Sequence, residues 1–471
     1  MEEPTMEEWY SNPRGMMKYY QSQKYSLGQS IADLVDNCFD GGASKIDVKV
    51  EYTESDNLFI RVLDNGRGMD ESTLSSSMQL GHERARNDSD LGIFGIGMKL
   101  SALAQANQVT VVSTKSKRVA IRRIDANYIR KFNENKIHTA GTNSDAFTQS
   151  MDAMVDGNWS TMVLLEEISR KGWRTYNIDE DVALQKQIDK IRIHLRLTYH
   201  RILEKNPNLE FKFQGKSIAP LDPSMSWENH EKYGTVTRND RISVTINHEK
   251  VLVTVTFVII PHSKQFRVDS KKCKSIHKGY KKANDMQGLY LYRNDRLIEY
   301  GGWQGLLGDV NEEHDKCGLI LVEIPPHVSE EFGLNPTKTE VGLPNEFMEK
   351  LSTKVGEKYR WGLIKNGKEI SFKEAIDYRY RNEGQKAINR DKKKAIQKTM
   401  NAKSGPSSGG EKADKVPAAP GTGPKKKSTA VKPKPVVKSI DENDPNWTIV
   451  QLDKQKEGYQ KLIELLRMWE E

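Results

Sequence analysis

The chain has 471 residues, 36% hydrophobic and 29% charged, with a formal net charge of +8. That length exceeds what one compact core holds, so two folded domains with additional segments are expected. No run approaches the roughly 18 apolar residues of a membrane span, and Met1-Glu2-Glu3-Pro4 lacks the basic-then-apolar layout of a signal peptide, so a cytoplasmic or nuclear location with no membrane attachment is expected. Cys38, Cys273 and Cys317 are odd in number, far apart and not in CxxC pairs, which supports neither a disulfide framework nor a zinc site. The basic excess favours polyanionic partners, although much of it sits near the C-terminus.

Residues 1–25 are polar and aromatic and read as an N-terminal arm. Leu27, Ile31, Leu34, Val35 and Phe39 then recur at three- and four-residue steps, one face of a helix that Gly41-Gly42 ends. Alternating and β-branched runs at 46–50 and 58–63 predict two strands. Residues 70–90 predict a short helix followed by a loop, and a second helix begins within Gly97 to Ala106. Strands are expected at 109–113, 118–124 and 161–165, with 125–160 irregular. Helices laid on one face of a mixed sheet, a two-layer α/β sandwich, is the predicted architecture. Leu184, Ile188, Ile191 and Leu195 mark a helix leading into a second domain. Its strands are expected near 209–213, 242–246, 251–260, 288–292 and 319–324, with a helix near 345–359.

Beyond residue 370 the composition changes. Residues 371–400 read as a charged helical segment. Residues 401–440 hold nine Lys against two acids among Gly, Pro, Ser and Ala, a disordered basic linker. From Trp447 to Trp469 a helical apolar pattern returns, so residues 441–471 are expected to form a short amphipathic helix that docks on a protein partner or a second copy.

Three stretches carry the chemistry. In the first helix Asp33 and Asn37 lie one turn apart on its polar face. The Asn37 amide oxygen suits Mg²⁺, a hard cation that keeps several waters, and a carboxylate one turn earlier is placed to deprotonate a water. A solvated helix face gives the same pattern. Asp64-Asn-Gly66-Arg-Gly68-Met69 follows a strand; its glycines admit a flat ring, and a buried Asp64 accepts from an exocyclic amine such as that of adenine. A plain β-turn is the alternative. Gly92-x-x-Gly95-x-Gly97-x-Lys99 opens a helix, where backbone N–H groups and the Lys99 charge favour phosphate, with a spacing that is neither Rossmann nor Walker.

In this order and separation the three stretches resemble the GHKL ATPase superfamily of gyrase B, the ninety-kilodalton heat-shock chaperones, MutL and the histidine kinases. Within it the likeness is to MORC-type and related prokaryotic ATP-binding proteins. Ala32-Asp33-Leu-Val-Asp36-Asn37 with Asp40-Gly-Gly-Ala43 resembles the metal helix, Asp64 to Met69 the adenine turn, and Leu91 to Lys99 the end of the ATP lid. Ser160-Thr161-Met-Val163 resembles the last motif, whose Thr supports the adenine contact. Gly288 to Ile298 and Asn335-Pro-Thr-Lys338-Thr339 resemble a transducer strand and the loop whose lysine reaches the γ-phosphate.

The resemblance implies ATP and Mg²⁺ as cofactors, Asp33 and Lys338 as catalytic residues, and Asn37 as metal ligand. It implies nucleotide contacts from Asn37, Asp40, Asp64, Gly66, Gly68, Met69, Gly92, Phe94, Gly95, Ile96, Gly97, Lys99 and Thr161. The implied layout is an ATP-binding domain with its arm at 1–175 and a ribosomal-protein-like α+β transducer domain at 176–370. Two departures stand out. Asp33 replaces the usual Glu, which changes the reach of the carboxylate by about 1.5 Å, so that either an extra water or a shifted helix compensates or hydrolysis is slow, and Ser160 replaces the usual Gly, which is expected to be tolerated. Asp36 lies about 100° around the helix from Asn37 and is the lesser candidate for the base.

Two basic clusters complete the reading. One is Lys115, Lys117, Arg118, Arg122 and Arg123. The other is Lys264, Arg267, Lys271, Lys272, Lys274, Lys278, Lys281 and Lys282, interleaved with Phe266 and Tyr280, and it is the better nucleic-acid candidate. The expected function is an ATPase that forms a homodimer on ATP binding and clamps double-stranded DNA. The alternatives are a chaperone-like or defence-system subunit working through protein partners, and a nucleotide switch that binds without turnover.

Overall fold

The computed structural model describes residues 12–79, 88–92, 97–170, 180–266, 268, 271, 286–308, 312–334, 342–363 and 367–403. The described residues through Ala387 form one unit, which contains both sheets; the rest of a helix running to Lys403 belongs to a second.

The first sheet has seven strands in the order β4-β3-β5-β2-β1-β6-β7. These are β1 (Lys45–Tyr52), β2 (Leu58–Asp64), β3 (Ala106–Lys115), β4 (Arg118–Asp125), β5 (Thr161–Ile168), β6 (Glu210–Phe213) and β7 (Lys216–Ser217). Helix α2 (Leu27–Asp40) starts at a capping box in which Ser26 and Gln29 satisfy each other's backbone N–H groups. It stops where Gly42 adopts a φ of +73°, a conformation that favours glycine. With α1 (Pro13–Ser22), α4 (Gly97–Gln105), α5 (Ala126–Phe132) and α7 (Glu180–Thr198), it shares a core with Ile60, Val62, Val111 and Val163.

The sheet is covered on its other face too. The alternate residues Phe59, Leu63, Val112, Met162 and Leu164 pack on α6 (Asp145–Asp156) through Phe147, Met151 and Met154. Helices on a single face, and an irregular 125–160, are thus corrected. The helical spacing of Phe147, Met151 and Met154 was present in a stretch rich in polar residues, and α5 and α6 are held by Asp125 and Ser144 at their N-termini. Phe147→Ala is expected to cost about 3–5 kcal/mol, seen as a lower urea midpoint, because it empties the centre of this second core.

Two further placements differ from expectation. Residues 210–213 pair in parallel with β1 and so extend the first sheet rather than begin a second domain. The preceding α7 lies in the first core through Ile191 and Leu195. Within the N-terminal arm, α1 buries Met17 there as well.

The second sheet has the order β11-β10-β12-β9-β8: β8 (Val236–Ile246), β9 (Glu249–Ile259), β10 (Gly288–Arg293), β11 (Arg296–Tyr300) and β12 (Gly318–Glu323). Its core includes Phe257, Tyr290, Tyr292, Trp303, Phe332, Phe347 and Phe372. Short α8 (His200–Lys205) joins the halves: His200 Nε2 lies 3.0 Å from the Tyr292 hydroxyl, and the Arg201 guanidinium sits 3.5 Å above the Tyr292 ring. The remaining helices are α3 (Glu71–Met78), α9 (Asn345–Gly356), α10 (Phe372–Asp377) and α11 (Gln385–Lys403). Cys38 and Cys317 are buried thiols; Cys273 lies outside the described residues. Among the described residues no helix is long and apolar enough to cross a membrane. The linker and the C-terminal amphipathic helix predicted at 401–471 lie outside the described residues apart from the end of α11 at 401–403.

Candidate nucleotide site

Helix α2 presents four polar side chains, Asp33, Asp36, Asn37 and Asp40, in about two turns, and each has its own surroundings. Asp33 and Asp36 are buried. The buried Arg296 at the start of β11 reaches both, with Nε 2.7 Å from Asp36 Oδ1 and Nη2 3.3 Å from Asp33 Oδ1. The Tyr199 hydroxyl donates to Asp36 Oδ1 at 2.7 Å and to the Ala32 carbonyl at 2.6 Å. Burial by itself lowers the pKa of the Arg296 guanidinium, but Asp36, Tyr199 and Asp33 outweigh it and hold the pKa above its ordinary value. Asp36 is therefore an anchor for Arg296 and Tyr199.

Asn37 is exposed. Its Nδ2 donates to the Asp33 carbonyl at 2.8 Å, so the amide oxygen is the atom it offers to a ligand. Asp40 points to the neighbouring loop, where its carboxylate accepts the N–H groups of Leu91 at 2.7 Å and Gly92 at 3.0 Å. Burial raises the Asp40 pKa and these two N–H groups oppose the rise. Asp40, expected among the nucleotide contacts, here holds the glycine loop against the helix.

The Asp64 turn packs on the end of α2. Asp64 closes β2, is 7% exposed, and accepts the Gly66 N–H at 2.8 Å. Burial pushes its carboxyl up to about 6, against the Gly66 N–H and the Cys38 thiol, which lower it. The Arg67 N–H donates to the Gly41 carbonyl at 3.0 Å. A Cβ on Gly66 would stand 2.8 Å from that same oxygen, and one on Gly68, whose φ is +63°, would stand 1.9 Å from the Thr114 carbonyl. Both glycines are needed for this close approach.

Thr161 sits opposite Asp64 in the β2–β5 register and opposite Ser113 in β3–β5. The Ser113 hydroxyl lies 2.9 Å from Thr161 Oγ1 and accepts the Met69 N–H at 2.8 Å. Ser113 thus joins the predicted Thr161 to the predicted Met69. Three strands and one turn meet at this point.

The third stretch is described in part. Gly92 and Gly97 are placed, and Gly97 opens α4; Phe94, Gly95 and Ile96 lie outside the described residues, as does Lys338 with the whole of 335–341. Lys99 is buried, and its Nζ donates to the Ser77 carbonyl at 2.8 Å and the Gln79 carbonyl at 2.6 Å. The C-terminal carbonyls of α3 need donors, and Lys99 caps them.

A model of the histidine kinase-, DNA gyrase B-, and HSP90-like ATPase family matches residues 25–154. Over this span the chain is similar to the GHKL ATPases. The matched span holds α2, the Asp64 turn and the glycine stretch from Gly92 to Gly97; Thr161 lies just beyond it. Protein MICRORCHIDIA 1 of Arabidopsis thaliana is 24% identical over 161 residues, covering 32% of this chain and 25% of that protein. The chain therefore matches about a quarter of that relative's length. Two solved structures share a loose overall likeness. The N-terminal domain of a DNA repair protein has a TM-score of 0.40 at 16% identity, over 72% of this chain and 97% of that one. The ATPase and transducer domains of DNA topoisomerase II from Balamuthia mandrillaris give 0.36 at 11% identity, over 76% and 86%.

Ser113, Tyr199, Arg293, Asn294 and Arg296 are the residues that motif reading did not single out for a role. Ser113 and Tyr199 belong to segments whose apolar pattern masks them, and the other three are distant in sequence from the helix and loop they touch. In the first basic cluster, Arg122 is committed to Glu71 and Ser75 on α3, and Lys115 to Asp70 at its N-cap. In the second, Lys264 and Lys271 are exposed. Phe266 is buried in the second core, so it is not offered for base stacking, because its apolar ring finds a packed environment there. Arg267, Lys272, Lys274, Lys278, Lys281, Lys282 and Tyr280 lie outside the described residues.

Proposed function

We propose that the chain binds Mg-ATP between the Asp64 turn and α2, and hydrolyses it with Asp33 as general base. The observation that carries this reading is the buried Asp64 carboxylate beside a turn whose two glycines admit no side chain, within a span that matches an ATPase family. Asp64 accepts from the adenine amine, with Thr161 and Ser113 fixing the turn. Asn37 holds the metal through its amide oxygen, a donor that fits Mg²⁺ alongside waters and phosphate oxygens. When bound, Mg²⁺ neutralises charge on the phosphates. Asp33 orients and deprotonates the attacking water, Gly95 and Gly97 bring N–H groups to the phosphates while Asp40 holds Gly92, and Lys338 adds positive charge at the γ-phosphate.

Calorimetry with ATP in the presence and absence of Mg²⁺, followed by phosphate release, tests this reading; no binding in either condition sinks it. A pH dependence follows from Asp64. The carboxylate form is the one that accepts from adenine, so ATP affinity is expected to fall as pH drops below about 6, by up to about tenfold per unit once the nucleotide's own titration is subtracted. In the nucleotide-free chain the sign is opposite. Between the ordinary 3.8 and about 6 the folded state holds a proton that the unfolded state has released, so this group's contribution to stability declines as pH rises through that window.

For the output we propose a homodimer that closes on ATP binding, with the second sheet as the transducer, and double-stranded DNA as its cargo. The exposed Lys264 and Lys271 and the overall charge of +8 support a polyanion. Gel shifts with and without a non-hydrolysable ATP analogue test it. Weakened binding after neutralising Lys271, Lys272 and Lys274 supports the clamp, and absence of DNA binding at low salt favours the alternative of a subunit acting through protein partners.

A further inference from the structure

The tip of the β10–β11 hairpin touches the two parts of the nucleotide site that lie on different elements. Its four residues are Arg293, Asn294, Asp295 and Arg296. On one side Arg296 bridges Asp33 and Asp36 of α2. On the other, Arg293 Nη1 donates to the Asp90 carbonyl at 2.5 Å, and Asn294 Nδ2 donates to the Asp88 carbonyl at 2.6 Å. The segment 88–92 so gripped is the one whose Leu91 and Gly92 N–H groups are bound by Asp40.

The tip is stiff. Arg293 and Arg296 are register partners, and the two residues between them have φ of 49° and 64°, the two-residue turn with both central residues left-handed that tight hairpins use. Arg293 Nε is further fixed by the Ser329 hydroxyl at 2.8 Å, and Asp295 pairs with Lys205 at 2.6 Å. A rigid turn of this kind cannot move Arg293 without moving Arg296.

We propose that Arg296 is a positioning residue for Asp33, and that the hairpin tip couples the arrangement of segment 88–92 to the placement of that carboxylate. The proposal rests on the reading of Asp33 as the general base. The planar guanidinium is suited to the task because its nitrogens reach two carboxylates at once, whereas a lysine ammonium is a single point charge. A shift of 88–92 as the glycine loop engages phosphate is passed through Asn294 and Arg293 to Arg296, and from there to Asp33. The second sheet then adjusts the base directly, on a route separate from Lys338.

The test uses the full chain. Arg296→Lys keeps the positive charge next to Asp36, so the fold is expected to persist. ATP affinity should stay within about threefold while kcat drops at least tenfold, a split that loss of structure alone does not produce. Asn294→Gly, which tolerates the positive φ and removes only the side-chain grip, should lower kcat several-fold with Arg296 intact. Hydrogen exchange on nucleotide-free protein gives a readout independent of turnover: Arg296→Lys should accelerate exchange at 88–92, at the far end of the tip. If wild type turns over and Asp33→Asn abolishes it, yet Arg296→Lys keeps kcat within twofold, the positioning role is wrong and the base assignment stands. Unchanged exchange at 88–92 overturns the coupling. If wild type binds ATP without hydrolysing it, the base reading fails and the positioning role with it, while the exchange result still decides the coupling.

Discussion

Asp33→Asn is expected to lower ATP turnover about 10²–10⁴-fold, the range lost with a general base, and to leave ATP affinity within a few fold. The substitution is nearly isosteric, and the amide oxygen still accepts from Arg296 Nη2, which lies 3.3 Å from Asp33 Oδ1. Asp36 continues to satisfy Arg296 Nε, and the Asn37 amide still bonds the Asp33 carbonyl. The helix is therefore expected to hold its shape, and the loss corresponds to about 3–5 kcal/mol of transition-state stabilisation. Phosphate release under saturating Mg-ATP, together with calorimetric affinity, measures both quantities. Turnover unchanged from wild type would show that Asp33 is not the base. Asn37→Ala behaves differently: removing the amide oxygen should weaken Mg-ATP binding itself.

Asp64→Asn is expected to separate stability from binding in opposite directions. An amide offers its oxygen weakly where a carboxylate offered a charged acceptor, so ATP affinity should fall about 10- to 150-fold, the range of a hydrogen bond to a charged group at roughly 1.5–3 kcal/mol. The nucleotide-free fold should become more stable at pH 7.5. Burial has pushed the Asp64 carboxyl up to about 6, so keeping it ionised above that pH costs stability that a neutral amide does not. Melting temperature and calorimetry on the same preparation check the pair of signs. A variant that loses binding and also melts earlier would mean that Asp64 serves the fold, and the adenine assignment would fall.

These two residues also mark how far the chain could be read before its structure was known. Local signals were clear. The apolar spacing of Leu27, Ile31, Leu34 and Val35 and the glycines after it predict α2, and the alternation in 46–50 predicts β1. The Asp64 turn follows its predicted strand, and Gly66 and Gly68 are glycines because backbone oxygens occupy the space of a side chain. Where the pattern was mixed, sequence reading failed. Helix α6 lies in a polar stretch, and its few apolar residues serve a second face of the sheet, the one that the near-continuous apolar runs of β2 and β5 require to be covered. Strand β6 was legible as a strand but not as a neighbour of β1, since parallel pairing across more than 150 residues leaves no local trace.

By itself the sequence determined the local elements of the candidate site, the polar face of α2 and the acidic turn after β2, because each depends on neighbours within a few residues. Only the tertiary structure decided what those side chains hold. It committed Asp40 to the Leu91 and Gly92 amides, Lys99 to the end of α3, and Arg122 to α3 as well. It also brought Arg296, 263 residues from Asp33 in sequence, onto the carboxylate proposed as the base. Hydrogen bonds and ion pairs are short-ranged and satisfied by whichever partner the fold delivers, so their partners cannot be inferred from spacing along the chain.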